Sequence, residues 1–330
     1  MFNSSIFLGG LAKVATVSAL FVTTSAAAET TLRLSHYAST RSTTHEAAEY
    51  FASEIASRTN GEIKITVHPA HELGDDPSQV RGVRVGTIDM AVVGNTFFSG
   101  IIPEVNALDL PYLFASPEHA YTVLDGEIGE DIHQLFSGKG FEVLGNWEIG
   151  FRNITNNVRP VTKPADLVGL KLRTNPNPAH VLAFETWGAQ PTPMPFNEVY
   201  LALETSAVDG QENPVGLIHA MRFNEVQEHL SMTRHAYTAA FLVMNGPKYK
   251  GLDEGIRQIL TEVGQLAGQM ERDLNAERES VSLAEMQAAG LKVVMEPDRD
   301  AFYEMAADVI RSDYVEKYGK SLLDRIDAAR

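Results

Sequence analysis

Apolar and polar positions recur with two periods along this chain, and the switches between them predict alternating strands and helices. Thr31-Leu32-Arg33-Leu34-Ser35 has the alternation of a strand. Thr43 to Arg58 has the spacing of an amphipathic helix with Thr43 or Thr44 near its N-cap, and Ile63 to His68 reads as a second strand with Ile63, Ile65 and Val67 on one face. This is a βαβ opening. Pro77 to Val85 predicts another helix, and Ile88 to Val93 a buried strand leading into Gly94-Asn95-Thr96. A second run begins near Gly150, with a short strand at Lys171-Leu172-Arg173, helices at Ala179 to Trp187 and Glu198 to Glu204, and a strand-like turn into Asp209-Gly210. Phe241 to Met244 reads as a strand. From Pro247 no proline recurs until Pro297, and Ile256, Ile259, Leu260, Val263, Leu266, Met270 and Leu274 follow at helical spacing. The pattern predicts one helix well beyond the average of about 11 residues, able to brace two domains; the alternative is two ordinary helices in one domain.

The first residues concern address rather than fold. Met1 to Ala28 carries one cation, Lys13, then an apolar run from Val14 to Val22 and the small residues Ser25-Ala26-Ala27-Ala28, the pattern of a secretory signal peptide cut after Ala28. The run is shorter than the roughly 20 residues of a membrane span. An exported, periplasmic protein is expected. There is no cysteine, hence no disulfide framework and no thiol nucleophile, so a large apolar core must hold the fold. With 44% hydrophobic and 21% charged residues in 330, composition allows one or two globular domains. A net charge of −16 argues against nucleic acid as a partner. It does not argue against a small anion, because bulk repulsion is screened beyond about 8 Å while an arginine in a cleft acts at contact.

Two arginines stand out. Arg152, in Gly150-Phe151-Arg152-Asn153, and Arg173, in Gly169-Leu170-Lys171-Leu172-Arg173, lie beside or within strand-like runs. A guanidinium there is costly unless an anion satisfies its planar fork. The pair is therefore a candidate carboxylate clamp; the alternative is that each arginine pairs with one of the chain's own acids.

Pro164-Ala165-Asp166-Leu167-Val168-Gly169-Leu170-Lys171-Leu172-Arg173, then Pro191 to Leu203 and Val208-Asp209-Gly210-Gln211-Glu212-Asn213-Pro214, form three ordered motifs. Together they resemble the solute-binding proteins of tripartite ATP-independent periplasmic (TRAP) transporters. Glu72-Leu73-Gly74-Asp75-Asp76, Gly86-Thr87-Ile88-Asp89-Met90 and Leu110-Pro111-Tyr112-Leu113-Phe114 extend the resemblance over nearly the whole mature chain. Ser206 departs from the glycine many members carry in the turn before Val-Asp-Gly.

The resemblance implies a receptor of two α/β lobes, with an interlobe ligand cleft, hinge strands and a long bracing helix. The expected division is residues 29–150 with about 239–278 in lobe 1, and 151–238 with about 279–330 in lobe 2. It implies that Arg173 takes the ligand carboxylate bidentately, that Arg152 adds a charge-assisted bond, that Asn213 holds the carboxylate from the other side and that Phe196 packs on the ligand. Partners would be a carboxylated solute and a membrane permease on which the closed form docks. Asp76 and Glu72 in a cleft-facing loop, Tyr37 and His36 at the end of the first strand, and Asn95 after the third are further candidate contacts. Sialate binders would be expected to have an acid after the Ile88 to Val93 strand, where this chain has Gly94-Asn95.

Other chemistry finds little support. His68-Pro69-Ala70-His71-Glu72 lacks the order of a helical metalloprotease site, and Pro69 disfavours the helix such a site needs. Neither a Gly-x-Ser-x-Gly elbow, a phosphate loop nor a dinucleotide fingerprint occurs. Asp75-Asp76 and Glu127 with Glu130 read as capping or solvated acids. No metal, cofactor or enzymatic activity is expected. The leading expectation is a receptor for a sugar acid such as a uronate or aldonate. The alternatives are a receptor for a C4-dicarboxylate or other small organic acid, a sugar-acid hydrolase and a sensory receptor.

Overall fold

A computed structural model describes residues 1–2 and 29–330, so the expected signal peptide, apart from Met1 and Phe2, lies outside the described residues. Among the described residues nine strands form one sheet: β1 (Thr30–His36), β2 (Ile63–His68), β3 (Met90–Gly94), β4 (Phe141–Asn156), β5 (Lys171–Thr174), β6 (Gln190–Pro193), β7 (Gly210–Asn213), β8 (His229–Asn245) and β9 (Lys292–Val294). Their order is β2-β1-β3-β8-β4-β7-β5-β6, with β9 also on β8. The βαβ opening is present: β1 and β2 run parallel, joined by the helix Thr43–Arg58. Its N-cap is Ser42 rather than Thr43 or Thr44, since Ser42 Oγ accepts from His45 N–H at 3.1 Å.

The runs read near Gly150 and at Phe241 to Met244 are pieces of two much longer strands, β4 of 16 residues and β8 of 17. Both are buried along almost their whole length. With both faces covered they show little polar alternation, which hid their extent. They pair antiparallel with register shifts between Val143 and Gly145, Glu148 and Gly150, and Arg152 and Ile154. Strand β3 joins one end of this pair, at Ala240 to Met244 of β8. Strand β7 joins the other, at Asn153 to Asn156 of β4. Each flank of the sheet thus hangs on the opposite half of the same two strands.

Two apolar cores occupy the two faces of the sheet. Ala91, Val93, Phe241 and Val243 point into one, with Phe98, Trp187 and Phe302; Met90, Val92, Leu242 and Met244 point into the other, with Phe51, Trp147 and Phe196. A single helix, Glu254–Ala288, runs for 35 residues across the second face, so the two-helix alternative does not hold. It approaches β4 at glycines: a Cβ on Gly264 would sit 2.5 Å from Leu144 O, and one on Gly145 2.4 Å from Gly264 O. Trp147 Nε1–H donates to Gly264 O at 3.1 Å and closes the contact. Edge strand β6 carries Pro191 and Pro193, which an edge tolerates because one side of it needs no donors.

Candidate functional site

At the middle of the β4–β8 pair, where the two flanks change over, lies a cavity of about 30 Å³. Six of the nine expected contact residues line it: Tyr37, Asp76, Arg152, Arg173, Phe196 and Asn213. They come from segments far apart in sequence. Tyr37 follows β1, Asp76 opens the helix Asp76–Val85, and Arg152 is in β4. Arg173 is in β5, Phe196 follows β6, and Asn213 ends β7.

The two arginines differ in their surroundings. Arg152, 2% exposed, pairs with Glu212 at two points: Nε with Oε2, and Nη2 with Oε1 at 3.0 Å. Its Nη2 also reaches Asn213 Oδ1 at 2.9 Å, and Nη1 reaches Thr238 Oγ1 at 3.3 Å. For Arg152 the alternative of an internal acid partner is therefore the one realised. Burial alone would raise the Glu212 carboxyl, but the Arg152 charge, the nearby His180 and the hydrogen bond to His235 hold it well below the usual carboxylate range. Arg173 is 1% exposed and makes no ion pair with any described residue. Its acceptor is the Met194 carbonyl, 2.8 Å from Nη2 and 3.3 Å from Nε. Burial lowers its guanidinium to about 10, so it stays charged at neutral pH. The Phe196 ring lies 5.8 Å from the Arg173 guanidinium carbon, and Tyr37 meets the same ring edge-on at 6.0 Å.

Beneath this wall lies a buried polar layer. Asp109, fully buried, accepts from Asn95, Thr96, Asn177 and Thr238. His235 Nε2 lies 3.3 Å from Glu212, and burial pushes its imidazole down to about 4. This layer satisfies groups that would otherwise be stranded behind the cavity.

Three expected contacts face elsewhere. Asn95 turns its amide to Asp109 at 2.9 Å because it opens the short helix Asn95–Phe98; Thr96 and Phe97 line the cavity instead. His36 ends β1 and meets His45 at 3.1 Å, while Tyr37, just past the strand, bonds Thr44 and reaches the cavity. Glu72 lies outside, its side chain 56% exposed and 3.3 Å from His68. Sequence reasoning missed Thr96, Phe97, Asn175, Ile149, Leu217 and Thr238. Thr96, Phe97 and Asn175 follow the ends of β3 and β5, so the strand-end rule could have found them. Ile149 and Thr238 are mid-strand and carried no such signal.

A larger hollow of about 1200 Å³ shares Tyr37, Ile149 and Leu217 with the small cavity and runs along the long helix past Arg272 and Arg278. Its Arg234, Arg272 and Arg278 are each paired with an acid: Glu279, Asp125 and Glu46. Arg41 and Arg299 also line the hollow without an acid partner among the described residues, but both are exposed, so the small cavity, which holds the buried Arg173, is the better candidate for anion recognition.

The model of the bacterial extracellular solute-binding proteins, family 7, matches residues 34–317. The chain belongs to this family. It is a solute-binding protein of the TRAP type, and the resemblance carried by its three motifs is borne out. It is similar to the 2,3-diketo-L-gulonate-binding periplasmic protein YiaO of Escherichia coli K12, 40% identical over 325 residues, 98% of this chain and 97% of that one. Among solved structures it is similar to a TRAP periplasmic solute-binding protein of Polaromonas sp. JS666 bound to D-erythronate. The TM-score is 0.89 at 31% identity, covering 91% of this chain and 99% of that one. A third likeness is to the TRAP solute-binding protein of Chromohalobacter salexigens with bound D-glucuronate: TM-score 0.87, 30% identity, 91% and 100% coverage. The two-lobed α/β architecture is the one these structures share. The family is periplasmic, and no described helix is long and apolar enough to cross a membrane.

Proposed function

We propose that this solute-binding protein receives a sugar acid, a uronate or an aldonate, whose carboxylate sits on Arg173, and delivers it to a membrane permease. Arg173 carries the reading. A buried guanidinium whose only acceptor among the described residues is one carbonyl calls for an anion, and its planar fork matches a carboxylate at two points. Asn213 and Arg152 flank that position, and Phe196 supplies an apolar wall. Similar proteins are described with D-erythronate, galactonate and D-glucuronate, which supports the hydroxylated class. One relative is described with succinate. Because Arg152 is already neutralised by Glu212, it is poorly placed to hold a second carboxylate, which weighs against the dicarboxylate alternative.

The lobe division near residues 150 and 239 belongs to this proposal and is supported by the way the two flanks attach to opposite halves of the β4–β8 pair. The larger hollow is the route by which the solute reaches Arg173. A thermal-shift screen of the chain from Glu29 onward tests the reading, against uronates, aldonates, dicarboxylates and neutral sugars. Saturation at a hundred times the dissociation constant stabilises the fold by about 2.7 kcal/mol, a shift of degrees. Shifts with uronates or aldonates support it; shifts with dicarboxylates alone would replace it.

A further inference from the structure

Asp76 is 1% exposed, and only one of its carboxylate oxygens is engaged. Oδ2 lies 3.0 Å from His71 Nε2, while Oδ1 is buried without a hydrogen-bond partner. The helix cap does not use this carboxylate, since Asp75 is the N-cap and takes Ser78 N–H at 2.9 Å. Asp76 lines the same cavity as Arg173. A buried acceptor without a partner, on a residue that lines the cavity, is an unmet hydrogen bond that a solute donor can fill.

His71 reaches Asp76 through an unusual backbone. Ala70 and His71 have φ of 50° and 60°, two successive non-glycine residues in the left-handed region. Ala70 N–H to Ala38 O at 2.9 Å and His71 N–H to His36 O at 3.2 Å pin the turn. Strain of this kind persists only where its surroundings hold it, and it gathers at ligand sites. The His71 side chain is 5% exposed, and its ring lies 6.2 Å from that of Phe196, yet it does not line the cavity.

We propose that His71 is a positioning residue for solute selection. By donating from Nε2 to Asp76 Oδ2 it fixes the carboxylate so that Oδ1 accepts a hydroxyl of an acid whose own carboxylate sits on Arg173. The inference rests on the Arg173 reading and narrows the solute to hydroxylated monocarboxylates, because a second carboxylate facing Asp76 would meet like charge.

Isothermal titration with D-gluconate and D-glucuronate, set against hexanoate and succinate as acids without hydroxyls, tests it. H71A weakens the hydroxylated probes by about tenfold and leaves hexanoate unchanged, and H71Q, which keeps a donor, recovers most of the loss. D76A, which removes both carboxylate oxygens, erases the preference for hydroxylated probes even if H71A does not fold. Equal weakening of all probes, or unchanged gluconate and glucuronate binding in H71A, overturns the role of His71 while leaving Arg173 untouched. If the unaltered protein binds none of the acids, the Arg173 reading fails and this inference falls with it. If it binds succinate more tightly than gluconate and glucuronate, the selection assigned to Asp76 is overturned.

Discussion

Arg152 and Glu212 are buried against each other in a two-point ion pair at the centre of the sheet. Arg173 is just as buried and has a backbone carbonyl in place of an acid. The first arginine is tied into the fold by its own acid; the second is the one on which the proposed solute carboxylate would sit.

Replacing Arg173 therefore separates binding from stability. R173A should remove at least about 2–4 kcal/mol of acid binding, and R173K should fail as well, since a point charge does not reproduce the planar fork. The ligand-free melting temperature should stay level or rise, because a desolvated charge without a partner is removed. Titration and thermal melts of the same preparations check both. Undiminished affinity in R173A would end the Arg173 reading.

The opposite holds for Glu212. E212Q leaves the Arg152 charge buried and uncompensated, a loss of about 3–5 kcal/mol, and R152A strands Glu212 in the same way. Urea unfolding of ligand-free protein reads this directly. A variant as stable as the parent would mean that the pair is not structural.

The brace and β4 meet where no side chain fits. G264A forces a Cβ to within 2.5 Å of Leu144 O, backbone that has no room to yield. A destabilisation of about 1–3 kcal/mol is expected. G255A, on the same helix with nothing within 4 Å of the added carbon, is the control and should be neutral or slightly stabilising.

Stability should fall on both sides of a middle pH. Burial pushes His235 down to about 4 and His36 to about 3, from an ordinary 6.5. Below pH 6.5 the unfolded chain takes up protons that the fold refuses, so stability drops as pH falls toward those values. Glu271 runs the other way: burial raises it from 4.5 to about 8, and its Oε1 is buried without a partner. Its contribution is present in full below 4.5 and is lost as pH rises through 8. The melting-temperature advantage of E271Q should therefore grow between pH 5 and pH 8. An advantage independent of pH would remove Glu271 from this account.

A cavity of about 30 Å³ has room for about one or two waters, so a sugar acid must move its walls. Spin labels at K64C and V168C, on opposite flanks of the sheet, should report a ligand-dependent change in separation. The chain has no cysteine of its own to interfere. An identical distance distribution with and without saturating sugar acid would exclude lobe motion as part of binding.

Much of the architecture was legible because it is local. The period of Thr43 to Arg58, the strand at Ile63 to His68 and the proline-free stretch after Pro247 each carry their own signal, and the ordered motifs around Arg173 and Asn213 pointed to the family. Ser42 displaced the expected cap by a residue or two, a boundary error that cap geometry alone corrects. Strands β4 and β8 were seen only in part, since full burial erases the alternation that announces a strand.

By itself, then, the sequence determined the α/β class, the family and the residues from which an anion site could be built. Which arginine is free, which candidates face the cavity and what Asp76 can offer were decided by the tertiary structure alone. Glu212 reaches Arg152 across 60 positions, and Asp109 reaches Asn95 across 14 and Thr238 across 129. A charge or an amide has no fixed role in a sequence, because its energy depends on which partners folding brings within hydrogen-bonding distance and on how much water it leaves behind.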